Sequence, residues 1–577
     1  MTTIINNISL FSLSDLLTFI LSFLWILSFS LIFCFFFNKK IKDTIVLSFI
    51  TSFILLFFGG LIGNILSFFI IGWIIIVSFY SYVFFRKKII GLLKTIDIKF
   101  IIIYLCLSLI IFIYYQNAGF RFTDEFMHWG PMVKEMFRTN QFYCFSESML
   151  LVHKDYPPFF SLIELLFCMF GRGYAEKYLY IGLVSFVMSI YMSLSFNSKN
   201  KYLSLLGLIL IGFIFQYIPS IQDNTSIYNS IYIDYALSLL FVYTICRLVK
   251  IDQYDDFTNK ELALCFTALL MSKQIGILYF GICILYMLVF IKNKNKKYLI
   301  CLLMPIVFYL IWKAIVSLNG IQGQFSLNNF SLRKEAVSVL KMYLDAIVSK
   351  PLFVKPIHIN TLLSFIITVV ALFIIDKTNN KKLTITYGVG FVLYLGVICL
   401  LYMFVFSVEE ALILSSFERY IISYVYIGLV LITMCICNLN KTIEYVVYFV
   451  FVILLCDFSN ANINNILDKK RILVINQQNA DIDFNFNQTT GSIYSFDECP
   501  YLNDGEIDKF KNIIKNYDYV YVYLYDDPFY KIWCDLTNDH SLENDSLFYK
   551  ENDNPIVLNN SNFNRIYYVI KYCITEN

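Results

Sequence analysis

The sequence predicts an all-α polytopic membrane protein, with about 13–14 spanning helices and a small C-terminal α/β domain. Three observations predict it. The 577-residue chain is 58% hydrophobic and 15% charged, where a soluble globular chain is about 45–50% apolar and 25% charged. The apolar excess comes in blocks nearly free of charge, such as 16–37, 45–62, 65–85 and 100–115, close to the roughly 20 residues a helix needs to cross hydrocarbon. Past residue 458 the composition turns polar and rich in Asn and Asp. Helices are the spanning element these blocks allow, since lipid leaves an open backbone unsatisfied, and none of the blocks alternates like a barrel strand.

Taken in order, the expected spans cover 11–37, 45–62, 65–85, 100–115, 176–196, 202–219, 231–249, 260–272, 275–291, 298–317, 357–376, 383–407, 420–437 and 441–458. The first block, from Phe11 to Phe37, exceeds a signal-peptide core and has no charged stretch before it, so it reads as a retained span. The apolar piece Pro157–Phe170 is too short to cross and reads as an interfacial helix. Basic clusters at Lys39-Lys40-Ile41-Lys42, Arg86-Lys87-Lys88, Lys199–Lys201, Arg247–Lys250, Lys292–Lys297 and Lys381-Lys382 mark cytoplasmic loops. The resulting parity puts loop 116–156, segment 216–230, Lys273, loop 318–356, segment 408–419 and the tail outside. The chain is therefore expected in the plasma membrane, divided into 1–458 and a soluble extracytoplasmic domain over 459–577.

In that domain Arg471–Asn476, Tyr519–Tyr525 and Arg565–Lys571 read as strands, and Glu506–Lys515 as a helix. Asp526-Asp527 reads as a solvated turn at a strand end. The fifteen cysteines include no CxxC pair and no zinc spacing. Most, such as Cys34, Cys106, Cys283 and Cys399, lie in spans as small packing residues, while Cys499, Cys534 and Cys573 in the tail leave a disulfide open. A net charge of +3 carries no nucleic-acid signal, and no P-loop or GxGxxG context occurs.

The chemistry concentrates in the expected outer loops. Arg121-Phe122-Thr123-Asp124-Glu125-Phe126-Met127-His128-Trp129 follows a span closely. On a helix, capped by Thr123, His128 shares a face with Asp124 or Glu125. Acids at a membrane boundary beside aromatics sit where a carboxylate can be tuned for proton transfer; the same pattern also suits an interfacial helix with solvated acids. Asp234 lies just inside a span, where an acid marks function, while Asp223 reads as solvated. Lys273 breaks the loop charge bias and wants an anionic partner, either a lipid phosphate or Asp234. Arg419 offers a bidentate fork for phosphate, or a pair for Glu418. Such a set suits a phosphorylated-lipid donor, with cations holding the departing phosphate and a carboxylate deprotonating an acceptor hydroxyl.

The order of these motifs resembles the GT-C superfamily of polyprenyl-phosphate-dependent glycosyltransferases, in its protein O-mannosyltransferase and aminoarabinose-transferase-like branch. The resemblance runs through Thr123-Asp124-Glu125, a helix ending near Arg138–Phe142, Asp155-Tyr156-Pro157-Pro158 opening a helix to Phe170-Gly171, Ala175–Leu179, Asp234, Ser272-Lys273-Gln274-Ile275-Gly276 and Arg419-Tyr420. It implies a base at Asp124 or Glu125, and substrate contacts from His128, Tyr156, Asp234, Lys273 and Arg419. It also implies a polyprenyl-phosphate-linked sugar donor, an envelope glycan, lipid or protein as acceptor, and membrane lipid around the site. A divalent cation is left open. The chain departs from the pattern in its additional early spans, in Tyr156 before Pro157 and in Gln274 after Lys273. A transporter or flippase of lipid-linked glycans, and a non-catalytic envelope scaffold, are the competing expectations.

Overall fold

The structure is a computed structural model. It describes residues 11–438 apart from 121, 123, 146–147, 149, 151, 215–226, 250–255, 292–297, 322, 324–332, 354–358 and 379–380; in the tail it describes 472–476, 496–498, 502–503, 505–514, 519–524, 527–537, 546–551 and 554–557. The expected span 441–458, the N-cap Thr123, Asp223 and the strand Arg565–Lys571 lie outside the described residues.

The membrane part is helical. Three long helices open it: α1 (Leu13–Phe37), α2 (Ile41–Ile62) and α3 (Ile65–Phe85). Their ends are written locally. Ser12 and Asp15 form a capping box on α1. Gly63, at φ +75°, ends α2, and Asn64 caps α3 by accepting from the Ser67 amide. A short α4 (Ile89–Leu93) leads to α5 (Ile98–Tyr114), capped by Asp97. A π turn (Glu125–Trp129) then runs into α6 (Gly130–Thr139), and α7 (Phe159–Phe170) follows. The next helices are α8 (Glu176–Phe196), α9 (Lys201–Ile214), α10 (Asp234–Val249), α11 (Asp256–Leu270), α12 (Ile275–Phe290) and α13 (Tyr298–Leu318). After them come α14 (Ala336–Ser349), a two-stranded ribbon of β1 (Pro351–Phe353) and β2 (Ile359–Asn360), α15 (Thr361–Ile375), α16 (Lys382–Phe404), α17 (Val408–Leu412) and α18 (Phe417–Ile436).

Among the described residues seven helices are long and apolar enough to span, namely α1, α2, α3, α8, α13 (over Cys301–Leu318), α16 and α18. The chain is thus a polytopic helical membrane protein. Helices also stand at the other expected spans within the described residues, but they are shorter. The 16 residues of α10, for example, extend about 24 Å against roughly 30 Å of hydrocarbon. The helix α14 lies within a stretch read from sequence as loop.

Position within the bundle follows composition. The spanning core of α8 is wholly buried, and α2 is two-thirds buried; they pack on each other through the Phe49–Phe186 ring pair. Much of α3 is exposed apolar surface, including Leu66, Ile70, Ile74 and Val77, as a lipid-facing helix requires. Polar side chains in the interior link helices to one another: Trp25 Nε1 donates to Ser52 Oγ at 2.8 Å, and the Ser30 and Thr44 hydroxyls lie 2.7 Å apart.

In the tail β3 (Ile472–Asn476) pairs in parallel with β4 (Phe496–Glu498) on one side and β5 (Tyr519–Leu524) on the other. Antiparallel β6 (Ser546–Glu551) and β7 (Asn554–Val557) extend the sheet to the order β4-β3-β5-β6-β7. Helices α19 (Ile507–Ile514) and α20 (Asp527–Thr537) complete the unit, whose own core holds Leu473, Ile475, Phe510, Phe529 and Trp533. Asp527, expected in a turn, opens α20 instead. Cys534 is buried and has no disulfide among the described residues, and Cys499 and Cys573 lie outside them.

Candidate functional site

Four separated segments converge at one end of the bundle: the π turn after α5, the first residue of α10, the link before α12, and the first turn of α18. Their charges form a chain. Arg419 Nη1 donates to Asp124 Oδ2 at 2.7 Å, its Nε lies 3.9 Å from Asp234 Oδ2, and Lys273 Nζ donates to Asp234 Oδ1 at 2.9 Å. Glu418, the sequence-adjacent rival for Arg419, pairs with Lys350 at 2.5 Å. The Arg419 side chain is largely covered and its Nε, which is buried, has no hydrogen-bond partner, so one donor of its fork is uncommitted. Its guanidinium lies 4.8 Å from the Tyr232 ring centroid, and Lys273 Nζ is 5.8 Å from both Trp129 and Tyr420.

The two adjacent acids of the loop do different things. Asp124 is 27% exposed and faces Arg419, and its amide donates to Tyr232 Oη at 3.0 Å. Glu125 is fully buried. Its carboxylate accepts from Tyr180 Oη (2.9 Å), Ile231 N (2.7 Å) and Phe122 N (3.0 Å). Glu125 therefore ties the loop to α8 and to the approach of α10, and Asp124 is the acid left partly exposed beside Arg419. Glu176 helps by accepting from the Phe120 amide at 2.7 Å.

The π turn sets this division. Gly130 N donates to Glu125 O, the wide ring that defines the turn. A Cβ at Gly130 would stand 2.2 Å from the Phe120 ring and 2.7 Å from Glu125 O, so the turn closes on glycine. His128 does not pair with either acid. Its ring meets His153 at 4.4 Å between centroids and Tyr156 at 5.6 Å. Burial pushes the His128 imidazole well below its usual range, and the charges of Lys273 and Arg419 act the same way.

The stretch His153–Phe159 is stapled in place. Trp312 Nε1 donates to Asp155 O at 3.0 Å, Tyr143 Oη to Tyr156 O at 2.6 Å, and Phe159 N to Met271 O at 2.8 Å. Gln274 Nε2 donates to Asp155 Oδ2 at 3.1 Å. Asp155, Gln274, Tyr232 and His153 are thus parts of the site to which motif reading assigned no role. An aspartate just ahead of the Pro157-Pro158 helix start was the available signal for the first of them.

Beside this cluster lies a cleft of about 620 Å³, counting its open mouth. Tyr156, Asp234, Lys273 and Gln274 form its polar part, and Ile275, Ile398, Leu401 and Phe406 belong to its apolar walls. Among the described residues no group of three or more His, Cys, Asp or Glu is set to hold a metal ion. The arrangement can hold an anion between two largely covered cations, with a carboxylate at hand and an apolar slot adjoining. Compared with known proteins, the chain matches no family model, no curated protein and no solved structure, so its functional reading rests on this geometry.

Proposed function

We propose that the protein is a glycosyltransferase of the GT-C type, of the hexosyltransferase class, which moves a sugar from a polyprenyl-phosphate donor to an acceptor hydroxyl on the extracytoplasmic face. The observation that carries the reading is the Asp124–Arg419–Asp234–Lys273 chain beside a cleft with a polar end and apolar walls. A lipid phosphate suits that combination, because its headgroup wants cations and its chain wants hydrocarbon.

In the proposed reaction Asp124 takes the proton of the acceptor hydroxyl. The hydroxyl oxygen attacks the anomeric carbon as the bond from that carbon to the phosphate oxygen breaks. The electron pair of that bond leaves with the polyprenyl phosphate, which Lys273 and Arg419 stabilise. Asp234 orients both cations. At rest two cations are balanced by two acids, and Arg419 occupies Asp124. An arriving phosphate competes for the Arg419 fork, starting at the uncommitted Nε, and frees Asp124 to act as base. The acceptor is an envelope glycan, lipid or protein, and the tail domain lies on the same side of the membrane.

The test is transfer from polyprenyl-phosphate sugars by the full chain in lipid nanodiscs. Asp124→Asn is expected to abolish transfer while the protein stays folded in the membrane. Unchanged transfer in that variant, or labelling that places residue 124 on the cytoplasmic side, would refute the assignment.

A further inference from the structure

The helix α14 has faces of three kinds. Ala336, Val339, Tyr343 and Ala346 are buried against the bundle. Ser338, Met342, Asp345 and Ser349 form an exposed row that is polar apart from Met342. Val337, Lys341, Leu344 and Val348 form a second exposed row, one helical turn apart at each step. Three of these four are large and aliphatic, with Val337 77% exposed and Leu344 and Val348 each 55%. Leu340 and Ile347, half-buried, fill the arc between that row and the bundle. One continuous apolar arc therefore starts in the protein and ends outside it.

The ends of α14 fix how it lies. Just before it, Arg333 donates to the Phe406 carbonyl, just past the end of α16. Just after it, Lys350 pairs with Glu418, in the first turn of α18, at 2.5 Å. Asn360, the N-cap of α15, donates to Val348 O. Both ends are thus held at the end of the bundle that carries the candidate site, so α14 runs along that boundary and does not cross. Its middle is held deeper. Tyr343 Oη donates to Leu395 O at 2.9 Å, and Leu395 sits nine residues before Phe404, the last residue of α16, about 13 Å down the helix. The helix packs on α15 and α16, whose exposed apolar residues, such as Leu363, Ile367, Val392 and Leu400, form the surface a span turns to lipid.

We propose that α14 is an in-plane interfacial helix, seated in the leaflet on the site's side with Val337, Leu344 and Val348 among the acyl chains, and that this seat braces the cleft. The bilayer is the occupant because the row continues the lipid-facing surface of its two neighbours and because the helix is held below their ends. An apolar side, an opposite polar side and an axis along the membrane surface are the pattern of an interfacial helix. Lys341 interrupts the row, but its apolar stem can follow the acyl region while its ammonium reaches the lipid phosphates. Ser338, Asp345 and Ser349 then face water. The brace follows from the end contacts. Phe406 borders the cleft and Glu418 precedes Arg419, so a helix fixed in the leaflet holds both borders of the site in place, whatever reaction the site performs.

The test uses the full chain in lipid nanodiscs, with bimane attached to Leu344→Cys or to Ser338→Cys and the signal of the labelled unsubstituted chain subtracted. Doxyl-labelled phosphatidylcholine and aqueous iodide are the quenchers. At position 344 the doxyl lipid is expected to quench at least threefold more than iodide, and at position 338 iodide is expected to quench more. Iodide quenching at 344 as strong as at 338 would put the row in water, and protection of 344 from both quenchers would mean that another protein chain covers it; either overturns the seat. The brace is read by hydrogen exchange. Leu344→Glu, which forces a charge among acyl chains, is expected to speed amide exchange over residues 404–420 at least threefold, and Ser338→Glu to leave it unchanged. Equal exchange in the two variants overturns the brace.

Discussion

At the scale of single residues, adjacent acids divide into one partly exposed beside Arg419 and one fully buried. Glu125 holds three donors in a buried setting, so Glu125→Gln places an amide N–H₂ against a donor. It is expected to cost about 1–3 kcal/mol, seen as a lowered Tm, while Asp124→Asn, whose amide oxygen can still accept from Arg419, is expected to remove transfer with the protein still folded. The histidine pair gives a pH signature of definite sign. Both rings titrate below their usual value when folded, so the unfolded chain binds more protons between about 6.5 and the folded values. Stability is then full above that range and is lost as pH falls through it. Tm is expected to drop between pH 7.5 and pH 5, and to drop less in His153→Asn. The Lys273–Asp234 pair was legible in sequence, because a lone cation and a lone acid at span ends need each other. The split between Asp124 and Glu125 was not legible, because it depends on Tyr180 and Ile231, far away along the chain. His153 was equally hidden, since its place depends on a left-handed backbone inside a loop.

At the scale of elements, hydropathy located the helices and polar side chains adjusted their ends. The span expected from residue 45 begins at Ile41 because Asp43 and Lys42 find partners, Arg247 at 3.1 Å and the Phe196 carbonyl at 3.0 Å. The helix α14 was missed because Lys341 and Asp345, on its exposed side, break the run of apolar residues, although its buried face of Ala336, Val339, Tyr343 and Ala346 is uncharged. In the tail, β3 and β5 fall within a residue of the stretches read as strands, since β-branched and aromatic residues cluster there. The π turn has no periodic signature and could not be read. Its dependence on Gly130 gives a test: Gly130→Ala drives a methyl group into Glu125 O and the Phe120 ring. An expected loss of about 1–3 kcal/mol lowers Tm, and the displaced Asp124 loses activity with it. A Gly130→Ala protein with wild-type Tm and turnover would show that the turn can relax without consequence.

At the scale of the whole molecule, charge is sorted to two ends. The Asp234 end carries the candidate site. The other end of the same helix carries Arg247, which bridges Asp43 at 3.1 Å and Glu261 at 2.6 Å, while Tyr243 Oη donates to Glu261 at 3.0 Å. Thirteen residues of helix place the two ends about 20 Å apart. Arg247 was read as loop charge, yet it clamps α2, α10 and α11 together. Arg247→Ala strands two partly buried acids and is expected to cost about 3–5 kcal/mol. Thermal unfolding in nanodiscs would register that loss, with undecaprenyl phosphate binding retained in the folded fraction. A transporter would hold its charged groups near the bilayer midplane; here the candidate site sits at helix starts.

Both cations of the site occupy an uncomfortable address. Arg419 is in the first turn of α18 and Lys273 lies just before α12, where each helix already presents the positive pole of its macrodipole. Side-chain charge and peptide dipoles therefore add, which offsets part of the repulsion that an arriving anion meets from Asp124 and Asp234. Bulk salt acts over roughly 8 Å at physiological strength and screens sheltered charge poorly. Undecaprenyl phosphate affinity should accordingly change little, less than about threefold, between low and physiological salt. A steep fall would mean that the headgroup is gripped at the exposed rim and not at these two poles.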